Sequence, residues 1–232
     1  VENLDRGVVA LQADDGIFVS WRLLASEYQA DIAFNVYRNG SKINETPITT
    51  KTNLLDPLGK PGDEYVVQTI KPNESEWSEA VTASSENFLS IPIQKPANTT
   101  DVSGKQNISY NANDIMTADL DGDGQYEYIV RWYPSNGVDS GSNGRLTGPT
   151  IFDAYDTDGT ILWRINIGYN MTSGEHYNQL TVQDYNGDGK AEVALLTADG
   201  TTVYAPDRAT NTIDMDCPLA VIGDPTADYV IR

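Results

Sequence analysis

The chain has 232 residues and a formal net charge of −19, with 34 acidic side chains against 15 lysines and arginines. Such a balance excludes nucleic acid and anionic lipid as partners drawn by long-range attraction, and no apolar run approaches the roughly 18 residues of a membrane-spanning helix. A single cysteine, Cys217, leaves no internal disulfide framework, while the length accommodates one large or two small domains with ample core.

Val1 is not followed by a basic n-region and an apolar h-region, as expected of a mature, already processed chain. From Gly16 to Ala83 short alternating strands are broken by turn chemistry. Strands are predicted over Ile17–Leu23, Ala33–Arg38, Glu64–Ile70 and Trp77–Ala83, with Asn39-Gly40 as a hairpin turn. Regular spacing of this kind predicts a fibronectin-like β-sandwich over residues 1–88. Residues 89–112, with Pro92 and Pro96 and then a polar run without periodicity, read as a linker.

Residues 113–232 are organised differently. Asp119-Leu120-Asp121-Gly122-Asp123-Gly124-Gln125-Tyr126-Glu127 returns 65 positions later as Asp184-Tyr185-Asn186-Gly187-Asp188-Gly189-Lys190-Ala191-Glu192. Oxygen-bearing side chains at positions one, three, five and nine, with a glycine at six to turn the chain, are the pattern of a loop that wraps calcium. Its ligands would be Asp119, Asp121, Asp123, Gln125 and Glu127 in the first copy, and Asp184, Asn186, Asp188, Lys190 and Glu192 in the second, with position seven giving its carbonyl. An EF-hand is excluded, because position twelve is Val130 or Leu195 and strand-like runs follow both loops. Asn186 makes the second loop one charge poorer and predicts weaker binding. Two calcium ions would bring the charge only to −15, so most of it is solvated surface.

Each loop leads into a buried strand and then a hairpin, over Ile151–Arg164 in the first copy and Thr202–Asn211 in the second. The pattern predicts two β-propeller-type blades, and the fold class is all-β: a partial propeller with calcium loops behind the sandwich. A propeller normally closes with four to eight blades. Two blades therefore predict either the front part of a larger protein or closure by self-association through exposed blade edges. Asp158-Gly159 is a hairpin turn signal, which weighs against a third metal site at Asp153, Asp156 and Asp158. Gly141–Gly148 lacks the lysine and helix of a phosphate loop and reads as a long connection within the first blade.

Calcium loops of modest affinity stay filled where calcium is millimolar, so an extracellular setting is expected. Sequons at Asn73, Asn98, Asn107 and Asn170 are candidate glycosylation sites, whereas Pro47 makes the sequon at Asn44 a poor acceptor.

Leu4–Gly7, Val19–Leu24, Phe34–Gly40, Ile91–Pro96, Asp119–Trp132, Trp163–Gly168 and Thr197–Thr201 resemble the start of a rhamnogalacturonan lyase of polysaccharide lyase family eleven. The resemblance covers almost the whole chain. It implies a small β domain followed by an eight-bladed propeller with several calcium ions, cutting the pectic rhamnogalacturonan backbone by β-elimination. That reaction removes the uronate C5 proton, neutralises the adjacent carboxylate with a metal or arginine, and protonates the leaving oxygen. Two departures stand out. Arg131-Trp132-Tyr133-Pro134 replaces a family pattern of Lys-Trp-Asp-Pro, and Leu196 stands where the family places a lysine.

Candidate substrate-binding residues are Asn113, Arg131, Tyr133 and His176. Asn113-Asp114 precedes the first loop as His176-Tyr177 precedes the second, and both pairs are expected to lie toward the channel; Arg131 offers a guanidinium to a uronate carboxylate, and Tyr133 a ring for stacking. For His176, the only histidine, a hydrogen-bonded structural role competes. Trp132, Trp163, Tyr169 and Tyr177 are expected mainly as packing residues. No catalytic residue is assigned, and the 232 residues alone are not expected to complete the family's cleft. Two functions follow: a calcium-dependent lyase acting on acidic polysaccharide, present here as its N-terminal part, or a non-catalytic extracellular binding or self-assembling protein built on the lyase scaffold.

Overall fold

A computed structural model describes residues 3–28, 30–104, 107–138 and 146–229; most of the predicted Gly141–Gly148 connection lies outside them. The chain divides into two compact units, one of Asn3–Ser90 with Asp123–Gln125, the other of Ile91–Gly122 with the chain from Tyr126 onward.

The first unit holds β1 (Val9–Ala13), β2 (Gly16–Ser20), β3 (Ala33–Arg38), β4 (Ser41–Lys42), β5 (Asn53–Asp56), β6 (Glu64–Ile70), β7 (Ser75–Trp77) and β8 (Val81–Thr82). They form two antiparallel sheets, β1-β2-β5 and β4-β3-β6-β7, with β8 also paired to β6. Alternation directs one face of each sheet inward: Ala10, Ile17 and Val19 meet Phe34, Val36, Tyr65 and Val67 in one core. Asn39 (φ 48°) and Gly40 (φ 77°) turn β3 into β4, both in the left-handed region that this tight hairpin requires. The predicted strand Trp77–Ala83 is instead two strands. The Ser78 hydroxyl oxygen takes the Val67 N–H at 3.0 Å, in place of a backbone carbonyl, and the ladder breaks there.

Among the described residues of this unit, one ion pair has both partners buried. Arg6 grips Glu27 with two bonds of 2.7 and 2.6 Å, and the Leu24 N–H donates to Glu27 at 3.0 Å. Burial alone would raise the Glu27 carboxyl, but Arg6 and the Leu24 N–H outweigh it and hold the group below its ordinary range. A depressed carboxyl contributes stability that is present above its unfolded pKa, about 4.3, and is lost as pH falls through the folded value. Glu27→Gln is therefore expected to cost about 3–5 kcal/mol at neutral pH, and its deficit against the parent should shrink below about pH 4. Urea unfolding of both proteins across that range checks it; a pH-independent gap would refute the assignment.

The second unit holds β9 (Thr99–Thr100), β10 (Asn107–Ile108), β11 (Tyr110–Ala118), β12 (Glu127–Pro134), β13 (Ile151–Tyr155), β14 (Ile161–Asn166), β15 (Leu180–Gln183), β16 (Glu192–Leu195), β17 (Thr201–Tyr204), β18 (Pro206–Asp207), β19 (Thr212–Ile213) and β20 (Ala220–Ile222). Residues read from sequence as linker thus include β9, β10 and the start of β11. An antiparallel sheet runs β11-β12-β13-β14-β17-β20, beside the hairpins β9–β10, β15–β16 and β18–β19. The central strands are buried on both faces, with Val130, Trp132, Ile151 and Tyr155 in one core and Ile129, Phe152 and Ala154 in another. This explains their near-continuous apolar sequences.

The hairpin predicted over Ile151–Arg164 forms as β13–β14. Its turn glycine, Gly159 (φ 86°), lies so close to Pro92 that an added Cβ would sit 2.4 Å from the ring. Gly159→Ala is expected to lower stability by more than about 1 kcal/mol, measurable as a lowered melting temperature. The hairpin predicted over Thr202–Asn211 does not form. β17 pairs with β14 and β20, while β18 pairs with β19. Pro206 lacks the N–H that would continue the ladder, and the edge of β14 supplies partners for Thr202 to Tyr204 instead.

Candidate functional site

The two acidic loops share one hydrogen-bond skeleton. The N–H at position two donates to the position-nine glutamate, Leu120 to Glu127 at 2.5 Å and Tyr185 to Glu192 at 2.9 Å. The position-four N–H donates to the first aspartate, Gly122 to Asp119 and Gly187 to Asp184, both at 2.6 Å. The position-seven N–H donates to position five, Gln125 to Asp123 at 2.7 Å and Lys190 to Asp188 at 2.9 Å. Glycines four and six are left-handed in both, with φ of 83° and 90° in the first loop and 83° and 95° in the second. Sequence reasoning had singled out only the sixth.

In the first loop the side-chain oxygens of Asp119, Asp121 and Glu127 lie within 4.8 Å of one another. Asp119 is 0 % and Glu127 2 % exposed, so two of these carboxylates face each other away from water. Anionic oxygens gathered in this way suit a hard divalent cation. The second loop differs at Asn186, whose amide nitrogen donates to Glu192 at 2.8 Å and to Asp188 at 3.1 Å. There an amide bridges the carboxylates, and Asp184 and Glu192 are only half-buried. The loops lie together: the Ala191 N–H donates to the Asp119 carbonyl at 2.7 Å, and the Lys190 stem passes over Gly122.

Behind the first loop, β11 bulges. Ala112 opposes Trp132 and Ile115 opposes Val130, so Asn113 and Asp114 together face the single residue Arg131. Such a bulge re-aims side chains. Arg131 is fully buried and donates to Asp114 at 2.8 Å, to the Glu175 carbonyl at 2.9 Å, to the Gly174 carbonyl at 2.5 Å and, at 3.4 Å, to Asn113. The guanidinium therefore ties the bulge to the segment before β15. Asp114 stays half-exposed and Glu175 and His176 are exposed beside it. Tyr133 lies two residues along β12 on the same strand face as Arg131, with its ring over Gly137.

Of the four sequence candidates, Asn113 bonds Arg131 directly and His176 follows the Gly174 and Glu175 carbonyls that Arg131 holds, though Arg131 itself is not open to solvent. Glu175 was not among those candidates, and Asp114 entered only as the second half of the Asn113-Asp114 pair. The signal available for Asp114 was an Asn-Asp pair, two residues depleted from strands, in the middle of one.

Asp153 belongs to a different arrangement. It is fully buried and accepts four bonds: from Arg164 at 2.6 and 2.7 Å, Trp132 at 2.8 Å and Tyr155 at 3.1 Å. Asp156 and Asp158 accept from Thr157 and Thr160 within the hairpin turn, as the turn reading expected. Of the sequons, Asn73, Asn98 and Asn107 are exposed. The Asn170 amide donates to the carbonyls of Asp199 and Ala227 at 2.9 Å each, so a glycan there would require one of those bonds to break.

The family profile described as "Rhamnogalacturonan lyase family 11, C-terminal domain" matches residues 88–230, and "Rhamnogalacturonan I lyases beta-sheet domain" matches residues 1–85. The chain belongs to rhamnogalacturonan lyase family 11. It is similar to two curated Bacillus subtilis (strain 168) proteins, "Rhamnogalacturonan endolyase YesW" at 45 % identity and "Rhamnogalacturonan exolyase YesX" at 42 %. Each alignment covers 99 % of this family 11 chain but 34 % and 35 % of the relative, so the chain spans about a third of their length. The crystal structure of YesW superposes with a TM-score of 0.84 at 45 % identity, over 98 % of this chain and 36 % of that one. "Bacillus licheniformis Rhamnogalacturonan Lyase PL11" gives 0.84 at 44 %, over 98 % and 36 %. Among the described residues of this family 11 chain, no helix is long and apolar enough to cross a membrane.

Proposed function

We propose that this chain is part of a calcium-dependent lyase that cleaves pectic rhamnogalacturonan outside the cell by β-elimination. The observation that carries the reading is identity of 45 % to a rhamnogalacturonan endolyase and 42 % to a rhamnogalacturonan exolyase, in alignments that cover 99 % of the chain. Matches to lyase family models over both halves of the chain favour the lyase over a non-catalytic scaffold protein. Within it, residues 119–127 hold calcium through Asp119, Asp121 and Glu127, and residues 184–192 hold a second ion more weakly. The strands of the second unit are propeller-type blades. Calcium supplies charge neutralisation, holding the loops and offsetting repulsion between an acidic protein and an acidic polymer.

On the β11–β12 face, Arg131 acts as a positioning residue. Its bonds to the bulge and to the Gly174 and Glu175 carbonyls hold Asn113, Asp114 and His176 where a sugar chain is contacted, and Tyr133 offers its half-exposed ring two residues away. The protein carrying this chain is expected to release products with unsaturated uronate ends, detected by their ultraviolet absorbance, and to lose that activity in chelator. Saturated reducing products would indicate hydrolysis and overturn the reading. Arg131→Met is expected to raise KM more than it lowers kcat, since it loosens contacts without removing a reacting group.

A further inference from the structure

The outward face of the β4-β3-β6-β7 sheet has no part in the core of its unit, which lies on the other side. Its composition is unusual for a solvated sheet face. Trp77 is 55 % exposed on a three-residue strand whose every side chain is exposed, and its ring lies 4.9 Å from that of Tyr37 at an interplanar angle of 55°. Trp77 is directly opposite Gln68, and Gln68 directly opposite Asn35, so an indole and two amides form one row across three strands. Asn35 and the Tyr37 hydroxyl both donate to the Gln68 side-chain oxygen, at 3.1 and 3.2 Å, and Asn44 continues the row by donating to Asn35 at 3.1 Å. Gln68 Oε1 is thus engaged, while its amide N–H groups, like the Trp77 N–H, donate to none of the described residues.

Lys42 is the cross-strand neighbour of Tyr37. It is exposed, its ammonium reaches only the Glu45 carbonyl at 3.4 Å, and it forms no ion pair among the described residues. On a chain of charge −19 that places an available cation at the rim of an aromatic pair.

We propose that this face is a saccharide-binding platform for a uronate-containing polysaccharide. A pyranose ring lays its C–H face on Trp77 against Tyr37, its hydroxyls accept from Gln68 and the Trp77 N–H, and Lys42 meets a uronate carboxylate. Stacking supplies apolar area, the amides fix orientation, and the single cation selects acidic over neutral chains. The choice of polymer rests on the lyase reading; the platform itself rests on the sheet face. It would hold polymer on the first unit without taking part in cleavage.

The test is affinity electrophoresis and tryptophan fluorescence titration of the whole chain with de-esterified polygalacturonate, rhamnogalacturonan I and neutral β-1,4-galactan. Retardation and a tryptophan spectral change are expected with the two acidic polymers and not with galactan. Trp77→Ala, which removes no core residue, should weaken that binding at least tenfold with an unchanged melting temperature. Lys42→Gln should weaken it several-fold and flatten its salt dependence. Binding unaffected by Trp77→Ala, or stronger with galactan than with the acidic chains, would overturn the proposal. If no polymer binds while the protein carrying this chain still releases unsaturated ends, the platform fails and the lyase reading stands; Trp77-dependent binding without such products reverses that outcome.

Discussion

Asp153→Asn is expected to destabilise the second unit by about 3–5 kcal/mol, the cost of breaking a buried ion pair from one side. Asp153 gives two oxygens to four donors: the Arg164 fork, the Trp132 N–H and the Tyr155 hydroxyl. An asparagine has one oxygen and turns an NH₂ group toward donors, so at least one buried donor is left facing another. Burial by itself would lower the Arg164 pKa, but in the parent the carboxylate raises it above its ordinary value; the variant loses that support and keeps the burial, and a guanidinium does not deprotonate in proteins, so it cannot escape the loss by shedding its charge. The Tyr155 hydroxyl has one proton, within 3.1 Å of both that carboxylate and the Gln94 carbonyl, and accepts the Gln94 N–H at 3.2 Å; the effect should reach the segment before β9. Urea unfolding followed by tryptophan fluorescence measures the cost. The double variant Asp153→Leu with Arg164→Met, which removes the charges together, should recover most of it. A single variant within about 1 kcal/mol of the parent would show that the network is worth no more than an ordinary hydrogen bond.

The parts of the fold legible in the sequence were those set by local chemistry. Alternation located β3 and β6 to the residue, Asn39-Gly40 located the positive φ angles of the β3–β4 turn, and Asp158-Gly159 marked the β13–β14 hairpin. Strand partnership was not legible where it is decided by an edge far away in sequence. Thr202 to Tyr204 has the composition of a hairpin arm, yet nothing local says that β14 will outcompete β18 for it. The polar run before Ser109 concealed β9 and β10 because two-residue strands carry no periodicity. The same limit applies to the site. The acidic loops are local and could be read position by position, whereas the grouping of Asn113, Asp114 and Glu175 around Arg131 depends on a bulge and on a segment more than 40 residues away. Arg131 was picked out for its charge, and its burial follows from a strand covered on both faces.

Glu127→Gln should abolish the tighter of two calcium-binding events. Glu127 anchors the first loop twice over, accepting the Leu120 N–H and lying with Asp119 and Asp121 in one cluster of oxygens. If calcium binds there, it stabilises the folded chain by about 2.7 kcal/mol at a hundredfold excess over Kd; the parent's melting temperature should then rise with added calcium and fall in chelator, and the variant's should respond far less. Isothermal titration of the metal-depleted chain should resolve a second, weaker event from residues 184–192. Its weakness has a specific origin, since the Asn186 amide donates to Glu192 and Asp188 and must be pulled from both before a cation can take those oxygens. Asn186→Asp removes the bridging donor and adds a charge, and is expected to tighten the second event at least tenfold, about 1.4 kcal/mol, while destabilising the metal-free chain through repulsion among three carboxylates. An Asn186→Asp variant that tightened nothing, or that left the metal-free chain unchanged, would mean that the second loop is a turn held by its own hydrogen bonds, with calcium playing no part in it.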